Sequence, residues 1–386
     1  MKKIGHEVLF LETKEGNPRN GEGTMLYLND GRIMCVYTQY YGNDWSDHAI
    51  ARLCVCISCD NGATWGDSLI LLEKDEKAEN IMSPSLFYMK NGEIGLIYLR
   101  KEKMEDNGIV CMPVFRSSRD NGATFSEPIF CNLPLGYYCT VNDCVTVLKS
   151  GRIIVPASYH GLRYDAFHNC TLDLGDKKGA EIVLAYSDDN GKTWGELGER
   201  IKSPFGDLVG LAEPGVYEYE DGKLWMYCRT PYGHQYQSFS TDCGKTWTAP
   251  APNLCFTSPD SPMRVKKVGK YTIAVFNPIG YSCVSSLTEV WGSPKRTPLV
   301  CALSTDDGRS FDTTNKTTAN NGMKKFAKSV YYIEDSPSDS YCYPSIIGID
   351  SGFLVAYYHS NGTKICLNSM KIVKISFDEI EDTVNN

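Results

Sequence analysis

The stretch SDDNGKTW, residues 187–194, decides how this chain is read. Two acids, an Asn, a Gly and a Trp crowd together there, as in a metal loop or an acid/base pair. The stretch recurs, however. SCDNGATW (58–65), SRDNGATF (118–125), STDCGKTW (240–247) and STDDGRSF (304–311) all keep the pattern Ser-x-Asp-x-Gly-x-Thr/Ser-aromatic. Their first serines lie 60, 69, 53 and 64 residues apart along the chain. A repeat of that length is a supersecondary unit. A catalytic acid is not needed five times, so the motif reads as a turn. Gly permits a positive φ, Asp and Ser bond nearby amides, and the aromatic plugs into the unit's core.

Strand-like segments such as EIVLAYS and LVCALS run into most copies. Further upstream lies a second recurrent element, two apolar runs around a tight turn. Its copies are MLYLNDGRIMCVY, LFYMKNGEIGLIY, VTVLKSGRIIVPA, VYEYEDGKLWMYC and IIGIDSGFLVAYY. Turns of the type Asn-Asp-Gly or Lys-Asn-Gly between such runs are hairpin signals. Each unit is therefore about four short strands, which is a propeller blade. Hairpins at Arg32, Glu93, Arg152, Lys223 and Phe353 mark five blades, and the degenerate VKKVGKYTIAVFN marks a sixth. The expectation is an all-β, six-bladed propeller forming a single domain over 1–386. The last unit lacks the Ser/Asp turn, so its outer strand should come from a terminus, EVLFLE or MKIVKISF. No helix stands out. The stretch 158–180 reads as an irregular insertion overhanging the axis.

Composition narrows the function. With 42% hydrophobic and 22% charged residues the chain has the make-up of an ordinary soluble globular protein. A net charge of -8 argues against a general nucleic-acid surface, though not against a local basic pocket. No apolar run approaches a membrane span, and the first residues lack the apolar core of a secretory signal, so a cytoplasmic location is expected. The sixteen cysteines are scattered and read as buried thiols. Cys54, Cys56 and Cys59 hold one CxxC without a second ligand pair, and Cys54 and Cys56 read as one face of a strand. GDLVGLAEPG lacks the strand and helix that a phosphate loop requires. No cofactor and no metal are demanded.

The repeats resemble the Asp-boxes of the sialidase (neuraminidase) superfamily, over nearly the whole chain. That resemblance implies a six-bladed propeller and a retaining hydrolysis of sialosides. Such a substrate carries a carboxylate on its anomeric carbon, which suits a cluster of guanidinium groups. The same charge repels an anionic nucleophile, and sialidases use a Tyr in its place. EPGVYEYEDGKLWMYCR (213–229) resembles the segment in which a Glu opens a strand pair and an Arg ends it. By that resemblance Glu213 is the base that activates the Tyr, and Arg229 binds the carboxylate. YPSIIGIDSGFLVAYY (343–358) resembles the nucleophile segment, which points to Tyr343, with Tyr341 as the alternative on the same strand face. KRTPLVCALSTDDG (295–308) points to Arg296 as a further carboxylate ligand, with Lys295 as its fallback.

The first Arg departs from the family pattern. Arg19 lies in the right region, but Arg-Asn-Gly-Glu replaces the expected run, the register differs by two residues, and Glu22 is an added carboxylate. In NDWSDHAIARL (43–53), Asp47 is the acid/base candidate and Asp44 the second choice. His48 and Arg52 beside it are candidates for binding substrate. Arg100, Asn142, Asp143, His160, His234 and Gln235 follow or separate inner strands, where propeller loops can face the axis.

Three functions follow as expectations. The first is an exo-glycosidase on sialic acid or a related nonulosonic acid. The second is a propeller hydrolase or lyase on another acidic glycan, motivated by Glu22, His48 and His160. The third is a non-catalytic glycan-binding propeller. In every case the partner is an acidic glycan, with no nucleic acid and no membrane.

Overall fold

A computed structural model describes residues 3–385 apart from 106–107, 163, 166–169, 172–178, 205–209, 280–295, 312, 314–315, 318–323, 326–329 and 362–367. Six antiparallel four-stranded units follow one another. Blade 1 is Arg19–Tyr27, Ile33–Tyr40, Ala51–Ser58 and Leu69–Leu72. Blade 2 is Ala78–Tyr88, Ile94–Lys103, Ile109–Ser118 and Ile129–Phe130. Blade 3 is Thr146–Val147, Ile153–Tyr159, Glu181–Ser187 and Gly195–Glu196. Blade 4 is Ala212–Glu218, Leu224–Arg229, His234–Ser240 and Ala251–Thr257. Blade 5 is Arg264–Val268, Tyr271–Phe276, Leu299–Ser304 and Val330–Glu334. Blade 6 is Ser340–Ile349, Gly352–Ser360, Ser369–Ser376 and, from the N-terminus, His6–Leu11. A single parallel pair, Ala51 with Asn80, joins blades 1 and 2 into one sheet.

The strands bury both faces, so their inner members read as apolar runs rather than as alternation; Ile33–Tyr40 is buried at all but one position. The core is accordingly six slabs, each between neighbouring blades. Val36 and Leu53 meet Ile81 and Leu96 between blades 1 and 2. Phe87 and Ile97 meet Val155 and Val183, Ile154 and Ile182 meet Val216 and Met226, and Trp225 and Tyr227 meet Val265 and Phe276. Ile273 and Val275 meet Ile346 and Phe353. Leu354 and Ile372 of blade 6 then meet Ile33 and Cys35 of blade 1, which closes the ring. Both terminal segments serve in that closure: Ser369–Ser376 is the third strand, and His6–Leu11 pairs outside it.

Each repeated turn joins the third and fourth strands of its blade. In the third copy the Ser187 hydroxyl donates to Asp189 at 2.9 Å and accepts the Gly191 amide at 2.9 Å. The Asp189 carboxylate accepts from the Thr193 amide (2.9 Å) and hydroxyl (2.6 Å). Asn190 and Gly191 take φ of 58° and 79°, which the two residue types tolerate. The Trp194 ring sits 5.3 Å from Phe115 of the preceding blade. We expect Asp189→Ala to cost about 1–2 kcal/mol of stability, the loss of a small local hydrogen-bond set. Urea unfolding checks this, and turnover should stay unchanged.

Two expectations change. The chain does hold a helix, Phe377–Asn385. It opens with a capping box: the Ser376 hydroxyl accepts the Asp378 amide at 3.1 Å, and Glu379 accepts the Ser376 amide at 3.1 Å. Ile380, 2% exposed, seats it on the core between blades 5 and 6. The insertion 158–180 lies partly outside the described residues. Its described residues include the end of Ile153–Tyr159 and a short ladder, Tyr164–Asp165 with Cys170–Thr171, which extends the Ile109 edge of blade 2.

Candidate active site

Antiparallel blades bring the start of strand one, the end of strand two and the start of strand three to one face of the ring. Arg19, Glu213 and Tyr343 stand near the starts of first strands, Arg229 ends a second strand, and Asp47 and Arg296 precede third strands. The repeated turns follow third strands and so lie on the opposite face.

A backbone device recurs at the inner segments. Non-glycine residues of left-handed φ lie nine positions before the hairpin glycine in five blades: Glu22 before Gly31, Ser83 before Gly92, Glu213 before Gly222, Asp260 before Gly269 and Tyr343 before Gly352. Blade 3 uses Asp143, eight positions before Gly151. The pairing register slips around Glu22, Ser83, Glu213 and Tyr343, which marks β-bulges. Such a bulge re-aims a side chain at a strain of roughly 1–3 kcal/mol.

The bulges bring Tyr343 and Glu213 together. The Tyr343 hydroxyl donates to Glu213 Oε1 in a short hydrogen bond. Arg229 donates from one terminal nitrogen to Glu213 Oε2 (2.9 Å) and to the Tyr343 oxygen (3.4 Å). Its other nitrogens grip Asp260 at 2.6 and 3.1 Å. Desolvation works against the Asp260 carboxylate, but the Arg229 charge outweighs it and holds the carboxyl below its usual range. Burial and the Glu213 charge push the Tyr343 phenol well above its usual range, so it is neutral at rest.

Arg296 lies 5.7 Å over the Tyr343 ring and is 5% exposed. One terminal nitrogen donates to the Asp260 carbonyl at 3.1 Å, while Nε and the other terminal nitrogen have no partner among the described residues. A buried guanidinium with open donors suits an incoming anion. The Asn277 amide fixes this segment by donating to the carbonyls of Arg296 (3.0 Å) and Tyr341 (3.1 Å).

Arg19 and Asp47 form a second cluster, paired at 2.5 Å. Desolvation raises the Asp47 carboxyl, but the charges of Arg19 and Lys101 prevail and hold it well below its usual range. Its side chain is 58% exposed, at the mouth of the site. Among the described residues Asp44 bonds its own loop, at Ser46. His48 and His160 flank Tyr137, each with ring centroids 6.2 Å away.

Burial holds both imidazoles down to about 4, from an ordinary value of 6.5. They are neutral hydrogen-bonding groups at neutral pH. A pKa depressed by folding stabilises above the unfolded value and loses that contribution as pH falls toward the folded one. Stability should therefore drop between pH 6.5 and about 4, by roughly 1 kcal/mol for each half-exposed ring after solvent screening. Melting temperatures at pH 7.5 and 4.5 test this, and an equal drop in the double variant His48→Asn/His160→Asn would reject it.

Other sequence candidates lie elsewhere. Arg52 spends its guanidinium on Gln39 and Glu73, at 2.8–2.9 Å, on the outer side of blade 1. Arg100 grips Asp75 at 2.7 and 3.0 Å. Tyr341 shares no face with Tyr343, because the bulge between Cys342 and Ser345 breaks the alternation. Its ring stacks on His359 and its hydroxyl donates to Asp339. Asp143 braces the axis, accepting from Lys266 (2.8 Å) and the Ile346 amide (3.2 Å). Asn142 donates to the carbonyls of Gly23 (2.6 Å) and Tyr343 (3.3 Å). Gln235 is buried against Ser258 and Ser261, and His234 lies in the third strand of blade 4. Lys295 lies outside the described residues. Asp260 and Ser83 escaped the sequence reading, although the spacing before the hairpin glycine marks both; Tyr358, which closes the segment begun by Tyr343, bonds Arg19.

Fold and repeats fit a propeller of the sialidase superfamily with BNR repeats. The BNR repeat-like domain profile matches residues 71–355, and the chain belongs to that family. A sialidase from Clostridium perfringens is 26% identical over 267 residues, covering 62% of this chain and 64% of that protein, so less than two thirds of its length is spanned. Among solved structures, an intramolecular trans-sialidase from Ruminococcus gnavus superposes with a TM-score of 0.67 at 14% identity, covering 96% of both chains. The leech intramolecular trans-sialidase gives 0.68 at 13% identity, over 98% of this chain and 71% of that one. A Dyadobacter fermentans protein of unknown function gives 0.69 at 16% identity, over 96% and 98%. At such identities the likeness is one of fold.

Proposed function

We propose that the protein is a retaining exo-glycosidase that releases terminal sialic acid, or a related nonulosonic acid, from glycosides. The observation that carries this reading is the Tyr343–Glu213 hydrogen bond bridged by Arg229, beside an Arg296 with open donors. Arg296 and Arg229 hold the substrate's carboxylate. Glu213 takes the phenol proton as the Tyr343 oxygen attacks the anomeric carbon. Asp47, ionised at rest beside Arg19 and Lys101, takes up a proton from solvent as substrate binds and gives it to the departing glycosidic oxygen, which leaves with the bonding electrons. Asp47 then removes a proton from water, and the water oxygen displaces the tyrosinate, which recovers its proton from Glu213. The sialidase from Clostridium perfringens supports the substrate class. Proton NMR of an aryl α-sialoside digest tests the reading: the α-anomer of the free acid should appear first. Absence of turnover, or first release of the β-anomer, would reject it.

A second reading, a hydrolase or lyase on another acidic glycan, draws support from Glu22, a carboxylate 3% exposed beside Arg19. A screen of uronate glycans separates the two, since only a lyase product absorbs in the ultraviolet through a new double bond.

A further inference from the structure

The two basic corners of the site are built in opposite ways. Every nitrogen of the Arg19 guanidinium is already used. Nε donates to the Tyr358 hydroxyl at 2.9 Å, one terminal nitrogen to Asp47 (2.5 Å) and the Trp45 carbonyl (3.3 Å), and the other to Glu22 at 3.2 Å. Aromatic rings approach it as well, Tyr40 at 4.5 Å and Tyr358 at 5.2 Å. The group is 2% exposed. Glu22 and Asp47 both pair with it, and Glu22, whose carboxyl burial pushes above its usual range, is itself held by the Ser83 hydroxyl. The sequence is fitted to this arrangement: a Cβ on Gly21 would lie 1.8 Å from the Tyr358 ring, so only glycine admits the tyrosine that Arg19 bonds. Arg296, also buried at 5% exposure, keeps two nitrogens without a partner among the described residues.

We propose that Arg19 is a positioning residue that holds Asp47 and does not bind the substrate's carboxylate, which falls first to Arg296. Arg229 supports it: its nitrogens also have partners in Glu213, Tyr343 and Asp260, but its side chain is 20% exposed to the site, against 3% for Arg19. Glu22 is the residue that sets this division. It occupies a bulge position equivalent to those of Glu213 and Tyr343, and there it fills the Arg19 nitrogen that would otherwise face an incoming anion. The inference rests on the proposed glycosidase reading for the role of Asp47, but the partition of anion binding between the arginines does not depend on the sugar.

Two measurements test it. The first is a titration of arginine Nε–H resonances in nitrogen-15 NMR of the full chain, with sulfate and separately with free sialic acid. Arg296 is identified by the signal lost in Arg296→Lys, and Arg19 by its contact with the Tyr358 ring protons, so no Arg19 variant need fold. The Arg296 signal should move on sulfate addition and the Arg19 signal should stay; movement of the Arg19 signal would overturn the proposal. If sulfate moves Arg296 and sialic acid moves neither, the substrate reading fails and the partition stands.

The second measurement is kinetic. Arg19→Lys keeps the charge but cannot reach Tyr358, Asp47 and Glu22 together. It should lower kcat about tenfold or more on a sialoside with a sugar leaving group, which needs protonation, and leave KM within about threefold. A 4-nitrophenyl leaving group should rescue most of the loss. Arg296→Lys should instead raise KM roughly 30-fold, the loss of a charge-assisted contact. A rise in KM for Arg19→Lys that matches Arg296→Lys would refute the assignment.

Discussion

Tyr343→Phe should lower turnover of an aryl sialoside by about 10³-fold or more while the free sugar acid still binds. The substitution removes one oxygen and leaves the surroundings intact. The ring still lies at right angles to Tyr358, with centroids 5.8 Å apart, and under Arg296. Glu213 and Arg229 keep their own 2.9 Å contact, so no buried charge is left without a partner. What disappears is the atom that would bond the anomeric carbon, and with it the two-step route. In the proposed mechanism anion binding rests on Arg296 and Arg229, so calorimetric affinity for the free acid should change by less than about threefold. A fall in affinity as large as the fall in kcat would mean a binding tyrosine. Unchanged turnover would remove the nucleophile assignment altogether.

The legible part of this protein was the part that repeats. The five Ser-x-Asp turns could be found because turn chemistry is local: Ser187, Asp189 and Gly191 satisfy one another within a few residues. The hairpins were legible for the same reason, and so was the need for a terminal strand, since blade 6 lacks a turn of its own. The C-terminal helix was written in Ser376-x-x-Glu379, but its short amphipathic run followed a strand without a break and was overlooked.

The site was half legible. Glu213, Arg229, Tyr343 and Arg296 follow family spacing, and they converge. What stayed hidden depends on contacts between distant segments. Asp260 lies in an inner segment whose repeat has decayed, and it meets Arg229 only in the folded ring. Tyr341 and Tyr343 look alike until a bulge turns one away from the other. Arg52 and Asp47 are neighbours in sequence, yet a strand start separates them. Arg52 is carried toward Glu73 at the blade's outer side, and Asp47 stays with Arg19. The departure at Arg-Asn-Gly-Glu was visible, but its meaning required seeing that Glu22 and Asp47 saturate the arginine.

Glu213→Gln should lower kcat by about 10²–10⁴-fold at neutral pH, and the loss should shrink as pH rises. The sign follows from the charges around the phenol. In the native site burial and the Glu213 carboxylate raise the Tyr343 pKa, while Arg229 and Arg296 lower it. In the proposed mechanism Glu213 is also the base that removes the phenol proton, so the native site gains its nucleophile by transfer within the hydrogen bond. Gln cannot accept that proton, and attack must await the small fraction of tyrosine already ionised. The same substitution removes a negative charge beside the phenolate and leaves both arginines in place. The Tyr343 pKa therefore falls in the variant, and its ionised fraction climbs about tenfold for each pH unit below that pKa. Log kcat of Glu213→Gln should thus rise with a slope near one from about pH 7 to 9, in a range where the wild type does not show this rise. A glutamate that served only to anchor Arg229 predicts a different result, a loss independent of pH. The double variant Glu213→Gln/Tyr343→Phe is the control: recovery at high pH that survives in it cannot come from the phenolate, and would leave Glu213 without its role as base.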